Sequence, residues 1–214
     1  MSETLPASGL DFLAPAPALA PARSPLASAA RRAGASLARR DGWEVPVAFG
    51  DPRAEARAIA ETVGIADASF LAVYEGGPEG DALAPGMAQR RAGAWWCPLH
   101  PDRVLVIEGA PPGPRWLDLT SAYAGLFLLG PLAREVFARV SALDLRPARA
   151  PVGAWRPGSV ARTPALVVRV REDGYLLLFG AAYAQYMWTA VVDAAQRLGG
   201  APVGVDTAQA VRDA

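Results

Sequence analysis

Residues 163–200 read TPALVVRVREDGYLLLFGAAYAQYMWTAVVDAAQRLGG, and this stretch decides the fold class. Thr163 to Arg171 and Tyr175 to Phe179 are rich in β-branched and large apolar side chains, which suit strands. Between them lies Glu172-Asp173-Gly174, where the Asp-Gly pair predicts a tight hairpin whose turn needs positive φ. Gly180 then leads into a helix expected over residues 181–198, with Tyr183, Met187, Val191, Ala195 and Leu198 along one side and Gly199-Gly200 as its stop. The uncharged run from Tyr175 to Val192 is long enough to raise a membrane span. It contains Gly180 and Gln185, and Asp173 and Asp193 flank it, so strand followed by helix is the better reading.

The same alternation continues outward. Ala94 to Cys97, Val104 to Ile107, Trp116 to Leu119 and Ala124 to Leu129 read as strands. Gly130-Pro131 opens a helix with Pro131 at its first position and Leu132, Val136, Phe137 and Val140 as its buried stripe. Nearer the N-terminus, Asp51 caps and Pro52 opens a helix carrying Ala56, Ile59, Ala60 and Val63, closed by Gly64. Ala68 to Tyr74 is expected to be a strand and Gly76 to Gly93 a loop. Ser28 to Arg40 reads as a short Ala/Arg helix, and Asp41-Gly42 turns into an extended piece. Residues 1–28 are expected to form a Pro/Ala-rich arm and residues 29–214 one domain. Helices set between pairs and triplets of strands indicate an α+β class with mixed or antiparallel sheets and packed helices.

Composition removes several function classes. Lys plus Arg equals Asp plus Glu, 21 each, so the formal charge is zero. A nucleic-acid or anionic-membrane binder would show a basic excess. Every cation is arginine, which excludes a Schiff-base or P-loop lysine. One cysteine, Cys97, excludes an internal disulfide and a cysteine-ligated metal, and the single histidine, His100, excludes a His-rich site. The first residues include Glu3 and Asp11 and lack a basic n-region, so a cytoplasmic location with no secretory signal is expected.

Several blocks resemble a known family. Asp41-Gly42-Trp43-Glu44-Val45-Pro46-Val47, Glu55, and Val63-Gly64-Ile65-Ala66-Asp67-Ala68-Ser69 resemble the opening of the aminomethyltransferase (T-protein) of the glycine cleavage system. Leu119-Thr120-Ser121 to Leu128-Leu129-Gly130-Pro131-Leu132-Ala133 is similar to that family's central strand and helix start. Gly200, Pro202, Gly204, Val211 and Arg212 resemble the approach to its LR-x-E motif. The second half is similar also to the gamma subunit of heterotetrameric sarcosine oxidase, through Trp96, Pro101-Asp102-Arg103-Val104-Leu105-Val106, Asp118-Leu119-Thr120-Ser121, Gly130-Pro131 and Leu143-Asp144-Leu145. The resemblance implies the aminomethyltransferase folate-binding fold with a ferredoxin-like substructure, lacking the C-terminal β-barrel of the longer relatives.

It also implies tetrahydrofolate as a possible cofactor, with flavin and NAD carried only by partner subunits. Family catalysis needs a carboxylate beside the folate nitrogens to orient them and handle charge. The matching stretch here, Gly86 to Gly93, carries Arg90 and Arg91 and no carboxylate. The acid of the T-G-E motif is absent, and the LR-x-E glutamate falls at Ala214. Arg212 is the one position that matches a cofactor contact, where a guanidinium could pair with the folate glutamate tail. No catalytic or metal residue is assigned. Trp95 and Trp96 could stack a pterin but read better as one core and one interface ring. Cys97 and His100 read better as a buried thiol and a loop imidazole than as a nucleophile–base pair. Asp67 and Ser69 read as hydrogen-bonding residues at a strand end.

The departures favour a small non-catalytic subunit of a heteromeric sarcosine or N-methyl amine oxidase. Its partners would be larger flavin- and folate-binding subunits of the alpha and beta type. The alternative is a stand-alone tetrahydrofolate-dependent aminomethyltransferase-like protein.

Overall fold

The computed structural model describes residues 21–78 and 83–213, with side chains as far as Val211. In chain order the elements are β1 (Ala22–Arg23), α1 (Ala27–Arg32), β2 (Ser36–Arg40), β3 (Trp43–Ala48), α2 (Pro52–Glu61), β4 (Gly64–Asp67) and β5 (Val73–Gly76). There follow β6 (Gln89–Arg91), β7 (Ala94–His100), β8 (Arg103–Ile107), β9 (Leu117–Asp118), β10 (Tyr123–Leu129) and α3 (Ala133–Val140). The chain continues through β11 (Trp155–Val160), β12 (Thr163–Arg171), β13 (Gly174–Gly180), α4 (Ala184–Gln196), β14 (Ala201–Pro202) and α5 (Val205–Asp213).

Three sheets form: β1-β3-β2, β11-β12-β13-β10-β4-β14 and β6-β7-β8-β5-β9. Among the described residues only β1 with β3 and β14 with β4 pair in parallel, so the mixed, mostly antiparallel α+β expectation holds. The reason lies in β13, where Tyr175 to Phe179 is buried at every position. A strand covered on both faces needs no polar alternation. Leu177 and Phe179 face α1, α3 and α4, against Leu26, Phe137 and Met187. Leu176 and Leu178 face the five-stranded sheet, against Cys97, Leu105 and Ile107. Farther along the second face, α2 and α5 cover β4 and the end of β10, joining Ile59, Ala66, Leu129, Val203 and Ala208.

Several boundaries differ from expectation, each for a local reason. The helix expected over 28–40 stops at Arg32, because Gly34 turns the chain at φ 91° into β2. Residues 22–28, expected in the arm, are part of the domain: Ala22 pairs with Trp43 and Leu26 is fully buried. The rest of the arm, residues 1–20, lies outside the described residues. Asp41 and Gly42 have φ of 45° and 81° and close the β2–β3 hairpin as a two-residue loop, the geometry in which Asp-Gly is favoured.

The hairpin at 171–174 forms differently. Its loop is Glu172-Asp173, no positive φ occurs there, and a register shift between Arg169 and Arg171 takes up the twist. Gly174 serves close approach instead, since a Cβ would lie 2.3 Å from Arg171 Cγ. The single strand expected over 68–74 is two strands, with Ala68 to Leu71 as the turn between them. Asp67 Oδ1 accepts from the Ser69 amide at 2.8 Å and starts that turn. Within the expected loop 76–93, β6 pairs with β7. Pro131 precedes α3 by two residues, and α4 follows a short 3₁₀ turn at Ala181–Tyr183, so Tyr183 is 49% exposed rather than buried. Among the described residues, no helix is long and apolar enough to cross a membrane.

The unanticipated α5 is held by a buried carboxylate. Glu55 on α2 accepts from the amides of Phe49 (2.5 Å) and Gly204 (2.7 Å) and from the Thr207 hydroxyl (2.9 Å). Gly204 lies so near β3 that a Cβ would meet Val47 O at 1.9 Å. Removing the acceptor by Glu55→Ala leaves buried donors unpaired, and denaturant titration is expected to show a loss of about 2–4 kcal/mol. Gly204→Ala should also destabilise, by prying α5 off β3. Burial raises the Asp67 carboxyl above its ordinary range, and Oδ2 has no partner among the described residues. Folding therefore takes up a proton at this group once the unfolded carboxyl would ionise, and stability falls as pH rises through that window. Asp67→Asn should gain on the wild type in denaturant stability from acid toward neutral pH; a constant difference contradicts this assignment.

Candidate functional site

The five-stranded sheet and α5 cover the large sheet without meeting, and the gap between them is a cleft of about 920 Å³. That size suits a small organic ligand. The floor is Ala66, Phe127, Leu129 and Leu176, the side chains that β4, β10 and β13 point to this face. Trp95 and Arg90 stand on one wall, Ala208 and Gln209 on the other.

The charged groups sit at the mouth. Arg90 is ion-paired to Glu108 at 3.0 Å, and its guanidinium lies 5.3 Å from the Trp95 ring centroid. Glu108 adopts φ 74°, a left-handed conformation that costs a non-glycine residue free energy. Its amide donates to Ala72 O at 2.8 Å, which fixes this turn at the end of β8. Arg171 also reaches the cleft and donates to Val211 O at 3.3 Å.

Two carboxylate residues border the cleft, and neither offers it a free acid. Asp67 pairs in register with Leu126, whose side chain lies in the helix-side core, so its carboxylate belongs to the opposite face of the sheet. There it supports the turn, while the Ser69 hydroxyl accepts from the Gly125 amide at 3.1 Å. Glu108 is engaged by Arg90. Such a cleft can stack and orient a flat ligand and pair with an anion, but among the described residues it presents no unpaired carboxylate to accept a proton.

The sequence-marked residues fall as follows. Arg212 lies on α5, and its side chain is outside the described residues. Trp95 lines the cleft, whereas Trp96 points to the other face of its sheet and meets Trp116 edge-on at 5.4 Å. Cys97 is buried between the sheets, which pushes its thiol far above the usual range, while the His100 side chain is 63% exposed. The two form no pair. Glu172 lies in the hairpin turn, where its carbonyl accepts two bonds from Arg169. Among the described residues no cluster of His, Cys, Asp and Glu could hold a metal. Sequence reasoning missed Glu108 and the role of Arg90. Glu108-Gly109 directly after an apolar strand was the available signal for a turn there.

Comparison with solved structures shows the same fold in two enzymes. A chain of heterotetrameric sarcosine oxidase from Corynebacterium sp. U-96, in complex with pyrrole 2-carboxylate, superposes with a TM-score of 0.60 at 21% identity, over 72% of this chain and 95% of that one. Glycine cleavage system aminomethyltransferase T from Bartonella henselae superposes with a TM-score of 0.68 at 18% identity, over 86% of this chain and 60% of that one. This chain therefore spans less than two thirds of the aminomethyltransferase. No curated protein matches the sequence. The model of the GCVT N-terminal domain matches residues 106–213, just over half of the chain, from β8 through α5. The fold and this match agree, and the chain belongs to the GCVT N-terminal domain family.

Proposed function

We propose that this chain is a small, non-catalytic subunit of a heteromeric sarcosine or N-methyl amine oxidase-type complex linked to one-carbon metabolism. The observation that carries the reading is the cleft: among the described residues the carboxylate that points into it, Glu108, is tied to Arg90, so the group that would handle a proton is engaged. The near-complete coverage of a sarcosine oxidase chain supports it as well. In this reading flavin and NAD reside on larger alpha- and beta-type subunits, and the complex works in the cytoplasm. Purification of the tagged chain from its native cells should recover larger flavin-containing chains in fixed stoichiometry. A well-behaved monomer with no flavin in the eluate contradicts the reading.

The cleft also favours a second reading, a stand-alone tetrahydrofolate-dependent aminomethyltransferase-like protein. Trp95 and Phe127 offer ring faces, and Arg90, Arg171 and Arg212 are the cations that could meet a glutamate tail. Titration with tetrahydrofolate should then saturate in the micromolar range, and Arg90→Ala or Arg212→Ala should weaken it about tenfold or more. Under the subunit reading the isolated chain gives no such signal, and aminomethyl transfer by the chain itself would overturn that reading.

A further inference from the structure

Asp67, at the end of β4, is a buried acid that the cleft does not use. It is 1% exposed and lies on the helix side of the six-stranded sheet. Its Oδ1 accepts from the Ser69 amide at 2.8 Å, the Ser24 and Ser69 hydroxyls reach the same carboxyl, and Oδ2 has no partner among the described residues. The cover over this acid is thin. In the segment 22–25 Ser24 is buried, whereas Ala22, Arg23 and Pro25 are exposed. Two register pairs of β1 with β3 hold the segment, and Ser24 Oγ accepts from the Leu26 amide at 3.0 Å. From Leu26 onward the chain is anchored in the core. Lifting 22–25 therefore uncovers Asp67 at little loss of apolar burial.

The charges on the elements around Asp67 are engaged elsewhere. Arg23 and Arg31 share Glu44, and Arg32 donates to Gln185. Glu55 of α2 accepts from Phe49, Gly204 and Thr207, and Asp206 of α5 pairs with Arg40. Tyr123 of β10 lies in the field of Glu75 and Arg103. Arg53, Arg57, Glu61 and Asp193, on or beside the helices that pack near β4, are exposed. An ionised Asp67 would thus be a buried charge without a counter-ion, and burial raises this carboxyl above its ordinary range in spite of the bonds it receives. The turn that Asp67 starts is shared with the cleft. Phe70 and Ala72 line the cleft on one side and meet Ala22, Arg23 and Pro25 around a hollow on the other. Ala72 O also accepts from the Glu108 amide at 2.8 Å.

We propose that Asp67 is a proton-held latch: with its proton it keeps the segment 22–25 seated on the turn 68–72, and when the proton passes to solvent the segment lifts, water reaches Oδ2 and the cleft wall from Phe70 to Ala72 loosens. The closed and open forms differ by one bound proton. The ratio of closed to open is therefore highest at low pH and falls about tenfold per pH unit between the ordinary carboxyl midpoint and the raised one. The latch is independent of what the chain assembles with.

The carbon resonance of the Asp67 carboxyl in the full chain, followed through pH by NMR, is the direct probe. Its midpoint is expected above the ordinary aspartate range. The Ser24, Ser69, Phe70 and Ala72 amides should move with that midpoint while the rest of the spectrum stays in place. Hydrogen-exchange protection at the Ala22 and Leu26 amides, corrected for intrinsic exchange, should fall about tenfold per pH unit across the same window. Asp67→Asn keeps an acceptor for the Ser69 amide and cannot ionise, so its protection should be flat there. A carboxyl midpoint at or below the ordinary range, amides at 22–26 and 68–72 that do not follow it, a transition shared by the whole spectrum, or a pH dependence that survives in Asp67→Asn overturns the proposal.

Discussion

The carboxylate of Glu55 is the constraint on which the rest of the molecule depends. It is buried, it faces three donors from two other parts of the chain, and it joins α2, the loop after β3 and the start of α5. Charged hydrogen bonds of this kind are worth more than neutral ones, and an unmade one is costly in an apolar setting. Gly204 adds a steric condition, since only a residue without Cβ lets α5 start against Val47. Together they fix α5 over β4. Because α5 supplies Val205, Ala208 and Gln209 to the cleft, the site inherits its geometry from a contact outside it.

The other wall is set by the five-stranded sheet, anchored through Cys97, Leu105 and Ile107 on β13 and through the Trp155 indole, which donates to Pro98 O at 2.9 Å. Where that sheet ends, Glu108 takes a strained backbone conformation and holds Arg90 over Trp95. The surrounding contacts must over-determine such a conformation for it to persist, and here the Glu108 amide bond to Ala72 and the Arg90 pair do so. Pairing with arginine favours the ionised form of a carboxylate and makes it a weaker base than a free one, and Glu108 carries such a pair.

Much of the fold was legible because it rests on local rules. The 163–200 block showed its hairpin and its helix, and the uncharged run from Tyr175 to Val192 divides into β13, buried on both faces, and the first part of α4, rather than forming one long apolar helix. The same Asp-Gly pair behaves in two ways: at 41–42 it forms the positive-φ loop, and at 173–174 a bulge at Arg169–Arg171 makes that loop unnecessary. Tertiary register decides between them, and a dipeptide does not encode register. The helix α5 was illegible for a similar reason, because its stability comes from Glu55, about 150 residues earlier. The absence of family carboxylates from Gly86 to Gly93 could be read directly. That Arg90 faces Glu108 could not, because the pairing of β6, β7 and β8 places them together.

On the proposed reading, the chain supports an oxidase without performing its chemistry. The measurement that tests this most directly is the rate of N-methyl amine oxidation, per assembled complex, with Arg90→Ala and Glu108→Ala introduced together in this chain. The account predicts a kcat within about twofold of the wild-type complex, because no reacting atom depends on these groups. A fall of about a hundredfold in kcat with assembly intact would contradict it and place the cleft among the catalytic sites.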